Sequence, residues 1–168
     1  MNTFKAKRFQ VTHKERIKAP ADRCFSLACP VEELKWIDNW QFDMIYSETG
    51  KNENNCIFRE DMSGLFVLNM PGLSTYWHTT LYDTENHRFH ALLIYGDMAT
   101  GKFEFEVKNG SNGYSIASWN LTYTALNEEG NSMADDSLRE RMFGMLNFLE
   151  KSAKYYLETG EMLKIDRP

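Results

Sequence analysis

Two stretches that alternate apolar and polar residues flank a short run of turn formers, and that pattern commits the chain to a β-hairpin. Lys102-Phe103-Glu104-Phe105-Glu106-Val107-Lys108 alternates at period two, and Asn109-Gly110-Ser111-Asn112-Gly113 follows it. Tyr114 to Leu126 then places Ala117, Trp119, Leu121, Tyr123 and Ala125 on one face. Residues two apart share a face in a strand, so each arm has one side to bury and one to leave in water. The same grammar runs upstream. Phe42–Ser47, Cys56–Asp61, Thr75–Tyr82 and Arg88–Tyr95 read as strands, separated by Gly50-Lys51-Asn52 and by Asp83–Asn86. Ser63-Gly64 and Met70-Pro71-Gly72 bound an irregular stretch. Hairpin-length connections predict an antiparallel meander between Trp40 and Leu126.

The ends carry other patterns. Phe9–Lys18 alternates, with Phe9, Val11, His13, Glu15 and Ile17 on the face to be buried. Pro20 suits the first turn of a short helix whose apolar side is Cys24, Phe25, Leu27 and Ala28. Pro30 ends it and opens a second, with Val31, Leu34 and Ile37 expected to face inward. After Leu126, Ser132 reads as a cap and Asp135 and Asp136 suit a helix N-terminus. Leu138, Met142, Met145, Leu149, Ala153 and Tyr156 follow at spacings of four and three, widened by Phe143, Leu146 and Leu157. Gly160 is the expected stop. One helix of about 28 residues, about 42 Å long, is expected over 132–159.

Composition excludes several classes. The 168 residues suit one domain, 1–168. A net charge of −5, from 19 basic and 24 acidic residues, argues against a nucleic-acid module. Cys24, Cys29 and Cys56 are odd in number and lack CxxC spacing, so reduced, buried thiols in a cytoplasmic protein are expected. No apolar run is long enough to span a membrane, and no secretory leader is evident. Aromatic residues make up 14% of the chain and there are 9 Met, which suits a cavity wall as well as a core.

The order strand, two short helices, strand meander, long helix resembles the SRPBCC superfamily. The likeness is densest in Cys24-Phe25-Ser26-Leu27-Ala28-Cys29-Pro30-Val31-Glu32-Glu33-Leu34-Lys35-Trp36-Ile37. It continues in Met44-Ile45-Tyr46-Ser47, Leu121-Thr122-Tyr123-Thr124-Ala125-Leu126 and Tyr156-Leu157-Glu158-Thr159-Gly160, spanning roughly Phe9 to Leu163. START lipid-transfer domains, aromatic polyketide cyclases, pollen-allergen-like carriers and chaperone-activator-like domains share that layout. The resemblance implies an α+β helix-grip fold, a curved antiparallel sheet around the long C-terminal helix with an apolar pocket between them. The superfamily has no common catalytic signature, so the likeness implies a pocket and no particular reaction.

Candidate residues follow from parity and type. His13 and Glu15 share one strand face about 7 Å apart, a spacing open to acid–base work, to ligand anchoring or to a mutually satisfied structural pair. Tyr46, Trp77, Trp119, Tyr123, Met142, Met145 and Leu149 are the expected pocket lining. His78 and His90 are expected on outer faces. His87 and His90 fall on opposite sides of a strand, so no metal site is expected. Arg59 is expected outward. GxSxG, Walker A, GxGxxG and HExxH patterns are absent, and no cofactor is expected. The leading expectation is binding or transport of a hydrophobic or amphipathic small molecule. The alternative is a cyclase- or dehydratase-type enzyme using His13 and Glu15. A partner-binding module is the third, and no exposed apolar run recommends it.

Overall fold

The computed structural model describes residues 4–60 and 74–165. The irregular stretch expected around Ser63-Gly64 and Met70-Pro71-Gly72 lies outside them. Among the described residues, seven strands form one open sheet: β1 (Arg8–Ile17), β2 (Phe42–Tyr46), β3 (Ile57–Glu60), β4 (Thr75–Asp83), β5 (Arg88–Tyr95), β6 (Ala99–Asn109) and β7 (Ser115–Ala125). Their spatial order is β1-β7-β6-β5-β4-β3-β2, and every neighbouring pair is antiparallel. The meander from β2 to β7 is therefore sequential. β1 closes it from the other end, with Arg8 opposite Thr124 and Ile17 opposite Ser115.

The described residues also form four helices: α1 (Ala21–Phe25), α2 (Pro30–Glu33), α3 (Glu128–Met133) and α4 (Asp136–Thr159). Leu138, Met142, Met145, Leu146, Leu149, Ala153 and Leu157 of α4 are buried in one core with Trp77, Phe103, Trp119 and Leu121 of the sheet. Cys24, Phe25, Leu27 and Ala28 close that core from the side of α1. All three cysteines are free and buried.

The long helix differs from the expectation over 132–159. The Asn127 side chain accepts from the Gly130 N–H at 2.8 Å and starts α3, and the Asp135 carboxylate accepts from the Leu138 N–H at 2.8 Å and starts α4. Two caps eight residues apart make two helices, with Ala134 non-helical between them. Ser132 lies inside α3 and donates to the Glu129 carbonyl instead of capping. Gly160, at φ 75°, closes α4 as expected. α3 packs against the β5–β6 turn so closely that a Cβ on Gly130 would overlap the Met98 carbonyl oxygen. The Tyr123 hydroxyl donates to the Gly130 carbonyl at 2.9 Å across the same contact. Phe143, expected to widen the buried stripe, is 47% exposed.

Two further faces differ. Leu34 is exposed, because the buried side of α2 and the turn after it is Glu33, Trp36 and Ile37. These residues are three and four apart, so they share a helix face that Leu34 does not. Tyr46 is also exposed. Met44 pairs with Phe58 but Tyr46 with Ile57, so two residues of β2 oppose one of β3. That bulge moves Tyr46 from the inward parity of Phe42 and Met44 to the outer face.

Candidate functional site: a carboxyl in the interior cavities

Two small cavities lie between the sheet, α4 and the α1–α2 segment. The larger, of about 40 Å³, is walled by Trp36, Phe89, Phe105, Trp119, Ala153 and Leu157, among others. The smaller, of about 30 Å³, is bounded by Trp40, Phe58 and Trp77. Glu33, Phe89, Phe103 and Leu149 belong to both, so one partition of four side chains divides them. The walls are mostly aromatic and interlock: Phe105 and Trp119 ring centroids are 5.1 Å apart, and those of Trp77 and Phe103 are 5.3 Å apart. Each space holds a water or two, not an acyl chain.

Glu33 is the charge-bearing side chain of that partition. It retains some accessible surface, and it borders both cavities. Burial pushes its carboxyl up to about 8, because among the described residues no basic group or hydrogen-bond donor compensates for the lost water. A carboxyl in that range carries its proton at neutral pH and can donate a hydrogen bond or exchange the proton with a guest. The sequence offered a sign of this: Trp36, Ile37 and Trp40 stand three, four and seven residues beyond Glu33, the periodicity of one helix face.

A second, open cleft of about 370 Å³ lies outside α1–α2, bordered by Asp22, Phe25, Cys29, Lys51, Tyr82 and His87. Asn52 borders both this cleft and the smaller cavity. Its side-chain amide donates to the Ala28 carbonyl at 3.0 Å and accepts from the Thr79 hydroxyl at 2.7 Å. It thereby latches the α1–α2 junction to β4. The His87 imidazole lies 2.6 Å from the Asp22 carboxylate across the cleft mouth.

The residues expected to line a pocket separate into groups. Trp119 and Leu149 line the larger cavity, and Trp77 and Leu149 the smaller. Tyr123, Met142 and Met145 are buried in the core and border neither. Tyr46 is on the outer face, its hydroxyl 3.3 Å from Glu48. Arg59 bonds the Asp43 carboxylate on β2, while Glu60 on the opposite side of the strand is buried.

His13 and Glu15 face α4, as their parity with Val11 and Ile17 requires, but they border neither cavity. They form a polar cluster with α4. His13 Nε2 lies 3.6 Å from Glu150, and the Lys154 ammonium lies 2.5 Å from Glu150 and 3.3 Å from Glu15. The Arg16 backbone N–H, donating at 2.9 Å, lowers the Glu15 pKa below its ordinary value, and Lys154 adds to this. Burial opposes the charge of Lys154, but its hydrogen bonds to Glu150 and Glu15 outweigh that and raise its pKa. The ligand atoms of His13, Glu15 and Glu150 lie within 4.8 Å of one another, a spacing a metal ion could use. Lys154 already supplies the cation there. Lys154→Met should destabilise the fold by about 2 kcal/mol, because it strands the buried Glu150 carboxylate. In urea titrations, Glu150→Gln should recover most of that loss.

The sheet order and the long C-terminal helix are those of the helix-grip fold, and solved structures agree. A Streptomyces aromatase/cyclase superposes with a TM-score of 0.64 at 9% identity, covering 94% of this chain and all of that one. A START superfamily protein from Mycobacterium smegmatis gives 0.65 at 12% identity, covering 89% and 97%. Truncated norcoclaurine synthase from Thalictrum flavum gives 0.65 at 14% identity, covering 95% and 98%. At these identities the likeness is one of fold, and the fold is START-like. No family model matches the sequence, and no curated protein matches it.

Proposed function

We propose that this protein binds a compact, largely apolar small molecule in its interior, between α4, the sheet and the α1–α2 segment. The supporting observation is the pair of apolar cavities separated by a single side-chain partition. A shift of Glu33 and Leu149 would join them, and an outward movement of the short α1–α2 segment would enlarge the joined space from its present volumes of about 40 and 30 Å³ to admit a guest of alkylbenzene size. Apolar burial at about 25 cal/mol per Å² would supply the affinity. The outer cleft is the natural entrance. α1 and α2 are five and four residues long, and Asn52 is a latch between cleft and cavity. The structural neighbours include a START superfamily protein and two catalysts, which fits either a carrier or an enzyme of the cyclase or dehydratase type. In the enzyme reading Glu33, not the His13–Glu15 pair, is placed to meet a substrate.

Ethylbenzene is a suitable probe of the binding reading. It should bind the wild-type protein in ligand-observed NMR. Ala153→Val, which grows into the larger cavity, should weaken that binding at least tenfold while holding thermal stability within about 1 kcal/mol. Equal binding by both proteins would place the guest elsewhere. Native mass spectrometry of protein purified from its own source should show a small molecule released on denaturation.

A further inference from the structure

We infer that Glu33 is a hydrogen-bond donor for the carbonyl oxygen of an uncharged, apolar guest, so that the interior selects ketones and aldehydes over hydrocarbons of the same shape. The inference deepens the interior-binding reading and rests on it.

The geometry carries the choice of chemistry. Glu33 borders both cavities, and the walls around it come from every layer of the fold. Trp36 comes from the turn that follows α2, Phe89 and Phe103 come from β5 and β6, and Leu149 comes from α4. None of these offers its carboxyl a hydrogen bond or an opposite charge. The Trp36 indole N–H is already spent on the Leu27 carbonyl at 3.3 Å, and the Trp40 indole N–H on the Pro30 carbonyl at 2.8 Å. Among the described residues nothing else partners the Glu33 carboxyl, and a guest in either cavity would meet it.

The class of guest follows from the proton. Burial favours the neutral acid, which has one O–H to give. A carbonyl oxygen accepts it with no charge created in the apolar interior. A carboxylate guest would place a second acid beside the first. A permanent cation would require Glu33 to ionise and would bury two charges. An aliphatic or aryl ketone avoids both costs. The titratable neighbours leave this state intact. Cys24 on α1 faces the same cavity and Tyr82 on β4 faces the cleft side, and burial pushes both pKa values up. The surfaces of β5, β6 and α4 that meet Glu33 are apolar.

Acetophenone and ethylbenzene provide the test, because they differ chiefly in the carbonyl. Wild-type protein, Glu33→Gln and Glu33→Leu are titrated with each by ligand-observed NMR. The preference for acetophenone, taken as a ratio of dissociation constants, should fall about five- to tenfold in Glu33→Leu, the worth of one buried hydrogen bond. Glu33→Gln keeps a donor and should keep most of the preference. In wild-type protein the preference should collapse as the pH rises past about 8 and the carboxyl ionises. In Glu33→Gln it should not. The infrared stretch of ¹³C-labelled acetophenone should move to lower wavenumber in wild type and stay unshifted in Glu33→Leu. An unchanged ratio in Glu33→Leu, with both probes still bound, would overturn the role of Glu33 and leave interior binding standing. Failure of wild-type protein to bind either probe would overturn both. Should Glu33→Leu fail to fold, the wild-type and Glu33→Gln pH series decides alone.

Discussion

Raising the pH from 4.5 toward 8 is expected to strip stability from the wild-type protein, and that loss should be absent from Glu33→Gln. The unfolded chain releases the Glu33 proton near the ordinary 4.5, while the folded protein keeps it to about 8. Between those values the folded state binds more protons, so each added pH unit favours unfolding by up to about 1.4 kcal/mol. The contribution is complete below 4.5 and gone above 8. Glu15 and Glu53 have lowered pKa values and act in the opposite sense, but at the acid side of this window, whereas His90, lowered by burial from 6.5, adds stability with rising pH inside it and does so equally in both proteins. The burial-raised Cys56, at about 11, acts above it. Urea unfolding across the window should show a falling midpoint for wild type, and parallel behaviour in the two proteins would show that Glu33 does not keep its proton. A guest that hydrogen-bonds the acid form should steepen the slope, since it binds only the protonated folded state.

Gly130→Ala should cost about 3 kcal/mol, more than most single-methyl insertions. The new methyl would meet the Met98 carbonyl oxygen, which belongs to the backbone and is itself the acceptor for the Leu126 N–H at 2.7 Å. Neither group can turn aside as a side chain would. Relief requires lifting α3 from the sheet, which also breaks the Tyr123–Gly130 hydrogen bond. Met98→Ala should therefore fail to rescue the variant, because the clashing atom remains. Rescue by that substitution would show that the side chain had been the obstacle. Thermal melts of the single and double variants distinguish these outcomes.

Periodicity made most of the architecture legible. The β6–β7 hairpin, the β5 boundaries and the inward set Phe9, Val11, His13, Glu15 and Ile17 all follow from strands that alternate without interruption. What escaped lay where one residue breaks the count. The bulge before Tyr46 reverses its parity, and no residue type in Met44-Ile45-Tyr46-Ser47 announces it. Asp135 was visible as a helix-favouring acid, but Ser132 three residues earlier was an equally good cap on paper. Packing of Gly130 against Met98 fixes which of them starts α4. Glu33 escaped because Val31, Leu34 and Ile37 read as the inward set of the second helix, whereas the face that is buried continues through Glu33, Trp36 and Ile37. The His87–Asp22 contact joins a turn to a helix sixty-five residues earlier, a distance that local pattern does not reach.

The pairing of β1 with β7 sets an order of assembly. On the ribosome β1 is made before every other element of the sheet, yet its neighbour β7 and its covering helix α4 come last. Its apolar residues Phe9, Val11 and Ile17 have nothing to pack on until both have emerged. Local hairpins β4–β5, β5–β6 and β6–β7 can form as they are synthesised, whereas closing β1 onto β7 must bring Ile17 to Ser115 and Arg8 to Thr124, the longest loop closure in the sheet, and is entropically the slow step. A nascent chain halted within β7 would hold most of a meander and a loose, amphipathic N-terminal arm. That arm is the segment a chaperone would have to shield.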